Sequence, residues 1–424
     1  MPEGLMPAAR LPGALPENPL FACSRCGGSL AGKARGGTTI HKERASGEER
    51  DSDRGSSGEG SRNHSPPGQA VDRLLTPQSR YRGCLLGGAA GDALGAAVEF
   101  EELSEIRARF GNRGIRDFST AYGRLGAITD DTQLTLFTAE GLIRVAVCRA
   151  GNGGPCELPI IVHRAYLRWM RTQGGVSSLD VPLDGWLSQL RPLWSRRAPG
   201  LTCQAALRSV ETLGGAARNH SKGCGGVMRI APVGLVSSPA QAFDTATELA
   251  ALTHGHPSSS LSAGVLAVVI SQLVSGDSLP GAIEVAKRQL RERAEHGEVL
   301  GAIEHAQSLA ASGRAPDGAV LESLGGGWVA DEALAIALYC VLVTPSLEEA
   351  IVLAVNHSGD SDSTGSIAGN IAGVLRGVES IPARWTADLE LREEITAVAD
   401  DLLALKSGTL DLHSHSIRAR YPGS

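Results

Sequence analysis

Aromatic side chains are scarce, only 4% of the 424 residues. That argues against an aromatic-rich β-sandwich. Positive charge is not in excess either: a net charge of -6 gives no general affinity for nucleic acid or an anionic membrane. No apolar run reaches the ~18 residues a bilayer span needs. The opening stretch, MPEGLMPAARLPGALPENPL, is broken by prolines and holds no hydrophobic signal core. Internal repeats with a period of about 20–50 residues are absent. The expectation is a monomeric cytoplasmic protein with no membrane or nucleic-acid partner.

Cysteines are few and dispersed, 8 in all. Cys84, Cys148, Cys203 and Cys340 lie in apolar surroundings, where free thiols are common, and this suits a reducing compartment. Cys23 and Cys26 form a CxxC with no second pair at zinc-finger spacing, so they read as an incidental pair in a tail or as half of a shared zinc site.

Hydrophobic residues, at 42%, suffice for a large core, and the 53 glycines with many alanines suggest closely packed helices. Residues 1–76 differ from the rest. HKERASGEERDSDRGSSGEGSRNHSPPG is charged, rich in Gly and Ser and nearly free of apolar side chains, so it is expected to be disordered. From Tyr81 apolar residues recur at helical spacing in 133–149, 160–171, 243–252, 261–274, 281–291, 331–343, 366–376 and 390–406. Strand-like alternation is missing. The expected architecture is a disordered extension, 1–76, and one compact all-α domain, 77–424. Gly83, Gly87, Gly91 and Gly95 repeat every four residues, and so do Gly365, Gly369, Gly373 and Gly377. Each glycine costs about 1 kcal/mol of helix propensity against alanine. Such ladders suit central helices whose backbones approach a neighbour closely.

Two helix entrances carry paired carboxylates. ITDDTQLTLFTAEGLI opens with Thr129, Asp130, Asp131 and Thr132; HSGDSDSTGSIAGN presents Asp360, Asp362, Ser363 and Thr364. Either alone reads as an N-cap. Together they form an oxygen-only ligand set for hard cations such as a pair of Mg²⁺ ions, with no His/Cys set to favour zinc. Asp92, inside an apolar stretch, is costly to bury unless paired, and reads as an acceptor for backbone amides or a metal-bound water. Glu99, near the exit of the same helix, reads as a general acid or base on a mobile loop. SKGCGGVMRIAPVG is a glycine-rich loop able to approach a phosphate, though not a Walker A. THGHP brings His254 and His256 into play. Trp169, Trp186 and Trp194 read as core, or as lining for a leaving group.

These segments, with GCLLGGAAGDALGAAVEF, GWVADEALAIALY and SGDSDSTGSIAGNIAGVLRG in this order over residues 79–380, resemble the ADP-ribosylglycohydrolase family. The resemblance implies an all-α enzyme that binds two Mg²⁺ ions, with Mn²⁺ as a substitute. It implies release of ADP-ribose from a modified protein side chain, most of all arginine, with serine-linked ADP-ribose, O-acetyl-ADP-ribose and modified nucleic acid as other linkages. By the same resemblance Thr129, Asp130, Asp131, Asp360 and Asp362 ligate metal, together with Ser363 or Thr364. The candidate catalytic carboxylates are Glu99, Asp131 and Asp362, and which of them takes the proton of the attacking water is left open. Asp92, Ser221, Gly223, Gly225, Gly226, Met228 and His256 form the substrate-binding set. Two other readings compete. One is an ADP-ribose-binding or toxin-neutralising protein of the same fold without turnover. The other is a haloacid-dehalogenase-like phosphatase, since Asp360-Ser-Asp362-Ser-Thr364 matches DxDx[TV] and IVLAV before it passes as a short strand.

Overall fold

A computed structural model describes residues 75–151 and 156–423. The expected disorder of residues 1–76 and the Cys23–Cys26 pair therefore lie almost wholly outside the described residues. Among the described residues seventeen α-helices follow one another. The first nine are α1 (Pro77–Gly95), α2 (Leu103–Phe110), α3 (Asp130–Ala150), α4 (Leu158–Thr172), α5 (Leu201–Arg208), α6 (Ala231–Val236), α7 (Pro239–Ala251), α8 (Pro257–Val274) and α9 (Leu279–Arg291). The remainder are α10 (Gly297–Ala311), α11 (Gly318–Glu322), α12 (Ala330–Val343), α13 (Leu347–Val355), α14 (Ser361–Arg376), α15 (Ala383–Asp388), α16 (Arg392–Ser407) and α17 (His415–Arg420). There is no β-strand among the described residues, only isolated bridges Ala121–Arg124 and Gly223–Val329. The all-α expectation holds. IVLAV ends helix α13, so the strand that a haloacid-dehalogenase reading requires is absent there.

The two glycine ladders face each other. Helices α1 and α14 run antiparallel, and their backbones touch along the whole pairing. A Cβ on Gly87 would come within 2.5 Å of the Gly369 carbonyl oxygen, and one on Gly365 within 2.6 Å of the Gly91 oxygen. Cβ atoms on Gly83 and Gly95 would collide with the backbone at Gly373 and Ser361. Asn370 fastens the pair by donating to the Cys84 carbonyl at 2.8 Å. Helices α8, α12, α13 and α16 pack around this pair. Their apolar faces, with those of α3 and α4, make one continuous core.

Helix α8 qualifies the reading of apolar runs: it is 18 residues long and apolar enough to cross a membrane, but it is mostly buried inside the protein as a core helix. One cysteine expectation is corrected. Cys148, at the end of α3, is not a free thiol but pairs with Cys156. The two cysteines are eight positions apart in the sequence, with Cα atoms 5.8 Å apart at the end of α3.

The ladder gives a test. Gly369→Ala should lower stability by about 1–3 kcal/mol, because the methyl group meets backbone that cannot rotate away. Gly301→Ala, on an exposed turn of α10 with nothing near its added Cβ, should raise it by about 0.5–1 kcal/mol. Urea midpoints of the two variants against the parent decide the matter.

Candidate active site

The antiparallel pairing carries the C-terminal end of α1 to the N-terminal end of α14. The N-terminus of α3 arrives beside them. The agent that fixes α3 is Asp92. Its fully buried carboxylate accepts from the Thr129 amide at 3.0 and 3.1 Å, the Thr129 hydroxyl at 2.8 Å and the Thr132 amide at 3.1 Å. The Thr132 hydroxyl donates as well. This saturation removes Asp92 from the substrate-binding set. It is the acceptor that holds the TDDT turn. Burial, then the nearby Asp362 charge, raises its pKa to about 7 against the pull of those hydrogen bonds.

Thr129 caps α3 by accepting from the Asp131 amide at 3.3 Å. Asp360 caps α14 through the Ser363 amide at 3.2 Å. Two helix N-termini therefore point at one place, and their dipoles favour negative charge there. Asp130, Asp131, Asp360 and Asp362 are each at most 4% exposed. Glu99, in the turn between α1 and α2, is buried too; it sits in the cluster rather than out on an open loop. Donor atoms of Glu99, Asp360 and Asp362 lie within 4.8 Å of one another. Burial and then mutual repulsion push the carboxyls of Glu99, Asp131 and Asp362 well above their usual range. Asp130 rises for the same first reason, although the Gly200 amide, 3.1 Å away, opposes it. Oδ1 of Asp131 and Oε2 of Glu99 are buried with no hydrogen-bond partner. A buried acidic cluster with orphaned oxygens is what a divalent metal ion satisfies.

The two adjacent hydroxyls of α14 part company. Thr364 Oγ1 turns into the protein, within 2.7 Å of the Ala354 carbonyl, 2.8 Å of the Asp360 carbonyl and 3.0 Å of His357 Nε2. That removes Thr364 from the candidate ligands. Ser363 Oγ faces Cys224 Sγ at 3.5 Å and Met228 Sδ at 3.7 Å.

The glycine-rich loop forms a short helical turn, Cys224–Gly226, beneath this face. Its glycines answer to packing. A Cβ on Gly225 would lie 2.9 Å from Cys203 Sγ and 2.9 Å from the His254 ring, and one on Gly226 2.5 Å from Ser259 Oγ. The Gly223 amide donates to Ser221 Oγ at 3.2 Å and the Cys224 amide to the Trp328 carbonyl at 3.2 Å. Those two amides are already engaged, so the loop is a poorer phosphate cradle than its sequence suggests. Met228 is buried, with its Sδ 3.7 Å from Ser363 Oγ at the start of α14. His256 caps α8, its Nδ1 accepting from the Ser258 amide at 3.1 Å. His254 is buried between Thr253 and the loop, and burial followed by the charge of Arg229 lowers its pKa to about 3.

Several participants carry no motif. Arg197 and Glu390 form a buried two-point pair, and this pair grips the backbone just before Thr129: Arg197 donates to the Ile128 carbonyl at 2.9 Å, and Glu390 accepts from the Ile128 amide at 3.2 Å. Glu332 accepts from the Gly326 and Gly327 amides at 3.0 and 3.2 Å, and the Gly326 carbonyl in turn receives the Asp360 amide at 2.8 Å. Tyr122 sits in the tight turn closed by Ala121 and Arg124, with φ at +48°. Desolvation of its hydroxyl, then the negative charges of Glu99, Asp362, Asp130 and Asp92, raises that group's pKa, although the residue as a whole is 38% exposed. Phe100, next to Glu99, stacks on Trp328 with ring centroids 6.0 Å apart. By contrast Trp169 is fully buried and donates to Gln133, Trp186 packs edge-on to Tyr421, and Trp194 donates to Ser188.

The class these features define is an all-helical protein whose central helix pair delivers a buried carboxylate cluster able to hold a metal ion. Within that class this chain belongs to the ADP-ribosylglycohydrolase family, whose model matches residues 73–410, and it is a hydrolase acting on ADP-ribose glycosidic bonds. It is 28% identical over 343 residues to the ADP-ribosyl-[dinitrogen reductase] glycohydrolase of Rhodospirillum rubrum, covering 77% of this chain and 96% of that one. It is 26% identical to the ADP-ribosylarginine hydrolase Tri1 of Pseudomonas putida over 77% of this chain and 80% of that one. A solved structure titled ADP-ribosylglycohydrolase-related protein complex matches with a TM-score of 0.57 and 27% identity, covering 79% of this chain and 99% of the other.

Two outcomes follow from the site. Arg197→Ala should cost about 3 kcal/mol, because it leaves the Glu390 charge buried with the half-exposed Arg124 as its remaining cationic partner beside the Ile128 amide; a urea midpoint measures it. The second concerns pH. A carboxyl raised in the fold binds protons that the unfolded chain has released, so the metal-free protein loses stability as pH rises, for Asp92 between its ordinary 3.8 and about 7. The buried imidazoles of His163, His254 and His357, lowered to about 4, 3 and 4, act oppositely. The difference in melting temperature with and without added Mg²⁺ or Mn²⁺ isolates the acids, and it should grow from pH 5 to pH 8. A difference that is flat or shrinks with pH would refute the cluster as the cation site.

Proposed function

We propose that this enzyme removes ADP-ribose from arginine side chains of modified proteins, using Mg²⁺ held by the acidic cluster, with Mn²⁺ as a substitute. The observation that carries the metal reading is the pair of orphaned buried oxygens, Asp131 Oδ1 and Glu99 Oε2, among carboxylates that form no ion pair with a cationic side chain among the described residues. The proposed ligands are Thr129, Asp130, Asp131, Asp360, Asp362 and Ser363. The arginine linkage rests on the likeness to Tri1, named an ADP-ribosylarginine hydrolase. A 24% identical relative from Bos taurus is named ADP-ribosylhydrolase ARH3.

In the reaction a water oxygen bonds to C1″ of the ribose as the bond from C1″ to the side-chain nitrogen breaks, and the nitrogen takes up a proton. Positive charge develops on the sugar ring on the way. Bound ions would hold the ribose hydroxyls and lower the pKa of the attacking water. Glu99, unpartnered at Oε2 and pushed upward in pKa by burial and four neighbouring carboxylates, is suited to accept that water's proton. Asp131 and Asp362 contribute negative charge opposite the developing cation. The stacked Phe100 and Trp328 put an apolar surface next to Glu99, which would limit stray water there. The proposed setting is a cytoplasmic monomer. Free Cys84, Cys203, Cys224 and Cys340 favour a reducing compartment, and the Cys148–Cys156 bridge counts against it.

The test is release of ADP-ribose from arginine-modified and serine-modified protein, with Mg²⁺ or with EDTA. Release from the arginine substrate should need Mg²⁺ and vanish in Asp130→Ala and Asp362→Ala. Preference for serine-linked ADP-ribose would change the linkage and keep the site. Tight binding of ADP-ribose without release from either substrate would overturn turnover and leave a binding protein.

A further inference from the structure

We propose that Cys224 turns one side of the acidic cluster into a site for a thiophilic divalent cation of the Zn²⁺ or Cd²⁺ kind, held by Cys224 Sγ, Asp360 Oδ2 and Ser363 Oγ. The three atoms already converge. Cys224 Sγ donates to Asp360 Oδ2 at 2.8 Å and lies 3.5 Å from Ser363 Oγ. They come from two rigid elements, the Cys224–Gly226 turn and the first turn of α14. The second observation is Glu99. It is 8% exposed, its Oε2 has no partner, and it offers an oxygen within 4.8 Å of those of Asp360 and Asp362.

Oxygen donors alone suit Mg²⁺, whereas a sulfur donor shifts preference toward soft cations. Zinc binds sulfur at about 2.3 Å and carboxylate oxygen at about 2.0–2.2 Å, so neighbouring S and O ligands on a tetrahedral ion stand roughly 3.6 Å apart. The distances here require movements below roughly 1 Å. On binding, the S–H bond breaks, a sulfur–metal bond forms and the proton leaves to water; no electrons change hands. Cys84, Cys203 and Cys340 are enclosed in the core, so Cys224 is the partly exposed free thiol among the described residues. The proposal rests on reading the cluster as a cation site and is independent of the bond that is cut. A soft cation bound here would share Asp360 with any hard cation, and so would compete with it.

The experiment uses the full chain carrying Cys23→Ser and Cys26→Ser, which removes the other thiol pair. Cd²⁺ is titrated into protein freed of metal by EDTA and dialysis, and the ultraviolet sulfur-to-cadmium charge-transfer band is recorded. One equivalent of band should appear, Zn²⁺ should displace it, and Cys224→Ser should abolish it. By calorimetry Cys224→Ser should weaken Zn²⁺ by about tenfold or more while leaving Mg²⁺ affinity unchanged. No band, or a band that survives Cys224→Ser, overturns the proposal. Cys224→Ala, with circular dichroism and melting temperature matched to the parent, shows that loss of the band is not loss of fold. Failure of Mg²⁺ to bind the parent, with a Cys224-dependent Cd²⁺ band still present, would instead overturn the hard-cation reading of the cluster and leave the soft-cation site standing.

Discussion

The backbone contact between α1 and α14 is the constraint from which the rest follows. Side chains normally hold helix axes 8–10 Å apart. Glycine at every fourth position on both partners lets the main chains touch, as the collisions of an added Cβ at Gly87, Gly91, Gly365 and Gly369 demonstrate. Because the helices are antiparallel, one end of the contact holds Gly95 against Ser361. That end is where Asp92 leaves α1 and where Asp360 and Asp362 enter α14. Each glycine sacrifices helix propensity, and a chain retains such a ladder only where close approach has a return. Here the return is position: carboxylates from distant parts of the sequence meet on a framework with little freedom to separate.

Bringing them together works against folding. Burial and mutual repulsion oppose every negative charge in the cluster, and the orphaned oxygens of Asp131 and Glu99 lack even a hydrogen bond. Asp92 shows the contrasting solution, since five contacts from Thr129 and Thr132 satisfy it inside the protein. The two kinds of buried acid divide the labour. Asp92 is satisfied and shapes the site; the others are unsatisfied without a cation and form it.

Much of this was legible in the sequence. The apolar periodicity marked the long helices because burying one face leaves a 3.6-residue signature, and the run at 390–406 reappears as Arg392–Ser407. The four-residue glycine spacing marked both central helices, though not that each is the other's partner. The paired carboxylates marked both helix entrances. What escaped was loop-borne and non-periodic. Arg197 and Glu390 are far apart in the chain and look like ordinary surface charges, yet they meet in the interior to grip Ile128. Glu332 reads as one more acid on a helix, but it holds the 326–327 loop that receives Asp360. No spacing rule connects such residues, because their proximity is a product of the fold.

The glycine loop and the DSDST run show why residue type alone misassigns roles. Gly225 and Gly226 look like a phosphate loop, but a neighbouring imidazole, thiol and hydroxyl exclude a side chain there, so a crowded interior explains them without any ligand. Ser363 and Thr364 carry the same functional group one residue apart, and a helix turns by about 100° between them. Only one hydroxyl can face the cluster. Thr364, on the inner side, closes onto the Ala354 carbonyl of α13 and the imidazole of His357, which secures the last turn of that helix against the first turn of α14. Ser363, on the outer side, is left facing sulfur. The periodicity that makes the helix thus also separates a structural hydroxyl from one available for chemistry.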